Sequence, residues 1–178
     1  MGRRGKYCTA RYSCQRTFFR EMAIVQVAMH ASATGINQVV QVSGLSSCVP
    51  VFVVRVTTKA YFVAHLGGSQ NKEDFCFQHQ ALNLSVFIDE TPDDERLLFV
   101  TFRFRGMEKD RKWVVRYFER KLRKKNIVVM RTIDTCHSVT IDLPKWEVQT
   151  QAIAGADITT VRLSEIVRVQ SSPVRHLP

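Results

Sequence analysis

Apolar positions along the chain recur mostly with a period of two. From Met22 onward, MAIVQVAMH (22–30) and INQVVQV (36–42) are β-branched runs separated by SATG, and such residues fit the pleated, half-buried surface of a sheet. VPVFVVRVTTKAYFVAHL (49–66) is long enough for one bent strand or two. GGSQNKED (67–74) reads as a loop by composition. Leu82, Leu84, Val86 and Ile88 alternate with Asn83, Ser85 and Phe87, which predicts a strand with one buried face. TPDD (91–94) predicts a turn. Leu98, Val100, Phe102 and Phe104 then alternate with Phe99, Thr101, Arg103 and Arg105. IVVMRTI (127–133) and HSVTIDL (137–143) look like a strand pair joined through Asp134–Cys136. Residues 144–157 are loop-like, and Val161, Leu163, Val167 and Val169 place a final strand at 158–169.

One segment departs from this period. Gly106 ends the Phe-rich strand, and over 107–125 Met107, Val114, Val115, Phe118 and Leu122 share one face at helical spacing. Lys109, Lys112, Arg116, Arg120 and Arg123 fall nearly opposite, with Trp113 and Tyr117 along one margin. Glu108 and Asp110 lie in the first turn and Arg123 to Lys125 in the last, which suits both ends of the helix dipole. Burying the five apolar side chains would contribute roughly 1.5–3 kcal/mol each before entropy, so the helix is expected to dock on a sheet with its cationic face outward. The pattern as a whole predicts an α+β, mostly β fold. About eight largely antiparallel strands form a curved sheet or open barrel, with one amphipathic helix, about 107–125, packed on it.

Composition narrows the class. With 178 residues, 45% apolar and 24% charged, the chain suits one globular domain, assigned to 22–170, with a basic extension at 1–21 and a short tail at 171–178. No apolar run reaches the ~18 residues of a membrane-spanning helix. Five scattered cysteines, an odd number, do not make a disulfide framework and favour a reducing or thiol-tolerant compartment. The start MGRRGKYCTARYSCQRTFFR is too polar for a secretory signal.

Charge is segregated. The net charge is +10, yet residues 1–20 alone hold six cations and no acid, and residues 103–125 hold eleven cations against three acids. The remainder is mildly acidic. The first segment reads as a mitochondrial targeting peptide, as a basic arm laid along nucleic acid, or as a solvated tail. In the second, Arg103, Arg105, Lys109, Lys112, Arg116, Arg120, Arg123 and Lys124 are candidate phosphate contacts, and Trp113 and Tyr117 are candidate groups for stacking on unpaired bases.

Signals for other chemistry are weaker. Cys76-x2-His79 has ligand-like spacing and Cys136-His137 adds two donors. Neighbouring residues on a strand point to opposite faces, however, and there is no CxxC pair, so no metal and no cofactor are expected. Asp89, Glu90, Asp93, Asp94 and Glu95 read as a hydrated hairpin turn without EF-hand spacing. There is no GxSxG elbow, P-loop or GxGxxG. A Ser or Cys near His65 or His137 counts as a coincidence of composition until coordinates place it otherwise. RNP1-like and KH-type GXXG signatures are missing too.

These patterns lead to a non-enzymatic basic component of a ribonucleoprotein assembly, mitochondrial or otherwise cytoplasmic, binding RNA phosphates through helix 107–125 and the N-terminal segment. The alternative is a structural subunit that meets other proteins of a large complex through the basic helix and strand edges. A ligand binder or enzyme using a cavity in the β-scaffold is the third reading.

Overall fold

The computed structural model describes residues 23–45, 48–67, 72–102, 108–122, 126–132, 136–152 and 157–169. The basic segment 1–21 and the tail 171–178 lie outside the described residues. In chain order the elements are β1 (Ile24–Gln26), β2 (Ser32–Ile36), β3 (Val39–Ser43), β4 (Val49–Arg55), β5 (Ala60–Leu66), α1 (Phe75–Asp89), β6 (Arg96–Phe102), α2 (Glu108–Leu122), β7 (Asn126–Thr132), β8 (Cys136–Asp142), β9 (Glu147–Ala152), β10 (Ile158–Arg162) and α3 (Leu163–Val169).

The fold is α+β and mostly β. The described strands form two open five-stranded sheets, ordered β1-β3-β8-β9-β10 and β2-β5-β4-β6-β7, in place of one curved sheet or open barrel. Each sheet is antiparallel except for one edge pair: β1 with β3, and β6 with β7, run parallel. A parallel pair needs a crossover of a dozen residues or more. Between β6 and β7 that crossover contains α2, and between β1 and β3 the chain leaves to form β2 in the other sheet.

Every residue of β4 and β5 is buried except the half-buried Arg55. Strands covered on both faces read as continuous apolar runs, which is why 49–66 shows no alternation. Its TTK break is the hairpin turn, where Lys59 adopts φ 55°. The Glu95 carboxylate ties that turn to β6 by accepting the N–H groups of Thr57 (3.0 Å), Thr58 (3.4 Å) and Arg96 (3.0 Å). On one face of this sheet lie α1, against β5, and α2, against β4. The other face meets the first sheet, with Tyr61 Oη donating to Gln38 Oε1 at 2.9 Å. One apolar core joins the layers, from Phe77 and Phe118 on the helices through Phe52 and Phe62 to Val42, Val139 and Ile141.

Several predicted elements change. The alternating segment 82–88 belongs to helix α1, not to a strand. Its buried positions, Phe77, Gln80, Ala81, Leu84, Phe87 and Ile88, follow helical spacing, while Leu82 and Val86 are exposed apolar residues that imitate a period of two. Asp74 caps the helix, accepting the Cys76 and Phe77 N–H groups at 2.8 and 3.3 Å. The expected pair 127–133 and 137–143 is split between sheets as β7 and β8. SATG lies in β2, residues 147–152 in the loop-like stretch form β9, and the last strand gives way to α3 after Arg162. The helix predicted at 107–125 is present as α2.

Candidate functional site

On α2, Val114, Phe118 and Leu122 form a buried stripe four residues apart, which turns Arg116, Arg120 and Lys121 outward. Neither Arg116 nor Arg120 has a hydrogen bond or ion pair among the described residues. Trp113 and Tyr117 are half-buried, their ring centroids 4.9 and 5.1 Å from that of Phe77 on α1. Both rings therefore serve the contact between the helices. Lys109 and Lys112 fall on α2, with side chains outside the described ones. Arg103, Arg105, Arg123 and Lys124 lie outside the described residues altogether.

The metal-like spacings stay apart. Cys76 and His79 sit on α1, with the exposed His79 ring stacked on Phe75 at 6.3 Å. Cys136 and His137 open β8 in the other sheet. Among the described residues no three His, Cys, Asp or Glu side chains gather as ligands. The acidic residues 89–95 connect α1 to β6 and not two strands.

A second constellation lies between the sheets at the open end of the β4–β5 hairpin. Val49 pairs with Leu66 and Pro50 with His65, so Cys48, one residue earlier, comes level with Gly67. Residues two apart on a strand share a face, which puts Cys48 and His65 on the same face as diagonal neighbours, a relation spanning about 7–8 Å with the Cβ atoms closer. Both are buried: Cys48 is 2% exposed and His65 3%. The thiol is free, and its Sγ lies 3.4 Å from the sulfur of Met29, a residue 54% exposed.

His65 is held from several sides. Its N–H donates to Ala31 O (3.0 Å) and its carbonyl accepts from His30 N (2.8 Å). The ring Nδ1 lies 3.2 Å from the Val27 carbonyl oxygen. A carbonyl only accepts, so Nδ1 carries the hydrogen and the neutral ring presents a lone pair at Nε2. That Nε2 is buried with no hydrogen-bond partner among the described residues. Burial holds the imidazole pKa below its usual range; the Val27 bond works against this, and the nearby charge of His30 adds to it. His30 itself stands at φ 64°, with its ring where a Cβ at residue 67 would be, so Gly67 is the residue that leaves room for it.

Orphaned buried polar atoms cost about 1–3 kcal/mol each. Among the side chains of the described residues there are two, His65 Nε2 and Gln80 Oε1, and both belong to residues anchored at the Ala31 carbonyl, Gln80 through its Nε2 at 3.2 Å. Nothing in the sequence joined Cys48 to His65, since 49–66 was open between one bent strand and two. Only a hairpin brings the start of that segment back to its end. The chain matches no known family model and no characterised protein.

Proposed function

We propose that the protein is a thiol-dependent enzyme acting on an acyl carbon, with Cys48 as nucleophile and His65 as its base. The observation that carries this reading is a buried imidazole with its tautomer fixed by Val27 and its free nitrogen on the face that holds a buried free thiol. A nucleophile, a base and a group orienting the base are the recurring parts of such sites. His65 Nε2 takes the thiol proton, and the thiolate adds to the carbonyl carbon of an amide or ester. The imidazolium returns that proton to the departing amine or alkoxide as the thioester forms. Water activated by the same nitrogen then releases the acid and restores the thiol. The thiol donates to the Met29 sulfur and not to His65, its diagonal neighbour across the hairpin, and catalytic hydrogen bonds are often long before substrate binds. Met29, 54% exposed and in contact with the thiol, is the side chain that a substrate would have to displace.

Iodoacetamide labelling of the folded protein, followed by peptide mass mapping, tests this. Cys48 is expected to alkylate readily near neutral pH, and His65→Asn to slow that alkylation by about 10²-fold or more at unchanged circular dichroism. Equal Cys48 rates in both proteins would remove His65 from the role of base. Resistance of Cys48 in the folded wild type would remove the nucleophile.

A second reading is favoured by the outward guanidinium groups of Arg116 and Arg120, which have no partner among the described residues: binding of RNA phosphates within a ribonucleoprotein assembly, with α2 as the contact ridge. It supplies a polyanion partner without requiring the thiol.

A further inference from the structure

The free side of β2 forms one wall of a groove of about 560 Å³ lined on the other side by Asn83 and Val86 of α1 and by its C-cap Glu90. The direction of the β2 main chain can be read from its neighbours. His65 N donates to Ala31 O and Asn37 N to Lys59 O, so Ala31 and Asn37 sit at hydrogen-bonded positions opposite β5. Such positions alternate along an antiparallel ladder, which assigns Ala33 and Gly35 to β5 as well. The N–H and C=O groups of Ser32, Thr34 and Ile36 therefore point away from β5. No described strand pairs on that side, since β2 is the outermost strand of its sheet.

Edge strands are normally guarded by charge, proline or a bulge. The sequence SATGI has none of these. The groove also holds a fixed cation. Arg55 is clamped by Nε to Thr91 Oγ1 and by Nη2 to the Phe87 carbonyl, both at 3.0 Å, with its guanidinium 4.5 Å from the Phe87 ring centre. Its Nη1 has no hydrogen bond among the described residues, and Arg55 lines the groove. Glu90, exposed at the groove's rim, is the one acid lining it.

We propose that this groove binds an extended segment of another protein by strand addition to β2, with a carboxylate side chain of the segment meeting Arg55. The main chain of the segment pairs with Ser32, Thr34 and Ile36, the mode in which backbone bonds supply affinity and alternate side chains supply selectivity. The exposed Ile36 and Val86 offer apolar contact on either side of the charge. The inference does not depend on Cys48 or His65.

Fluorescence anisotropy with a labelled, N-acetylated eight-residue peptide of alternating Val and Thr carrying one central Glu tests it on the full chain. Thr34→Pro deletes an outward N–H while leaving the β5 ladder intact, because proline is tolerated on a strand's solvent side. Expected are saturable binding to the wild type, at least about tenfold weakening by Thr34→Pro, and similar weakening when alternate peptide nitrogens are methylated or Glu is replaced by Lys. Equal binding to Thr34→Pro at retained circular dichroism overturns the proposal, as does no binding to the wild type. Amide exchange offers an independent reading: slow exchange at Thr34 in the protein alone, matching Ala33, means the edge is already covered and also overturns it.

Discussion

A neutral imidazole between two apolar sheets titrates in a way that stability measurements read directly. Burial lowers the pKa of His65 in the folded chain, the Val27 carbonyl opposes this, and His30 reinforces it. Below the ordinary histidine value of about 6.5 the unfolded chain takes up this proton while the folded chain does not. Stability due to His65 is therefore present above about pH 6.5 and is lost as pH falls from there toward the lowered folded value. Urea midpoints measured at pH 7.5 and 5.5 should drop more for the wild type than for His65→Gln, whose side chain does not ionise. Parallel declines would mean that His65 is protonated as easily folded as unfolded, against the buried neutral base the proposed chemistry requires. The pair itself was not legible in sequence. Cys48 and His65 are seventeen positions apart, and no local pattern links them until the turn at 56–59 closes the hairpin.

At the scale of elements, α1 separates what the sequence could show from what it could not. Its cap, Asp74, ends a stretch that reads only as loop by composition. Its face was hidden, since Leu82, Leu84, Val86 and Ile88 alternate as a strand would. A strand would bury Leu82 and Leu84 together, whereas the helix leaves Leu82 61% exposed and Leu84 fully buried. Leu84→Ala should thus destabilise by about 2–5 kcal/mol and Leu82→Gln by no more than about 0.5 kcal/mol, as measured by urea unfolding. Similar losses at both positions would restore the strand. Helix α2 was readable for the opposite reason, because its polar residues are charged and its apolar ones sit on one stripe. Sheet membership was beyond any such pattern: β3 pairs with β8 across about a hundred residues, Val39 against Asp142, and nothing local in either strand names the other.

At the scale of the whole molecule, the crossover position of α2 turns a sequence statistic into a surface. A helix joining parallel β6 and β7 must lie over their sheet, and burial of Val114, Phe118 and Leu122 then leaves Arg116 and Arg120 facing solvent. On the RNA reading, a polyanion would meet this ridge and not the surface at large, because the rest of the chain outside this segment and the first twenty residues carries an excess of acid. Trp113 and Tyr117, committed to Phe77, contribute packing more than stacking, so affinity on the RNA reading should be electrostatic and indifferent to base sequence. For single strands the logarithm of the binding constant falls with the logarithm of salt by about 0.7 per phosphate neutralised. Binding of a fluorescent oligouridine measured between 50 and 200 mM salt, roughly the range over which such contacts are lost, should give a steep slope. The double variant Arg116→Gln, Arg120→Gln should reduce that slope by about 1.4 and weaken oligoadenosine equally. An unchanged slope would assign the RNA contact to other residues. A loss confined to one base sequence would show that bases, and not the phosphate backbone, are being read.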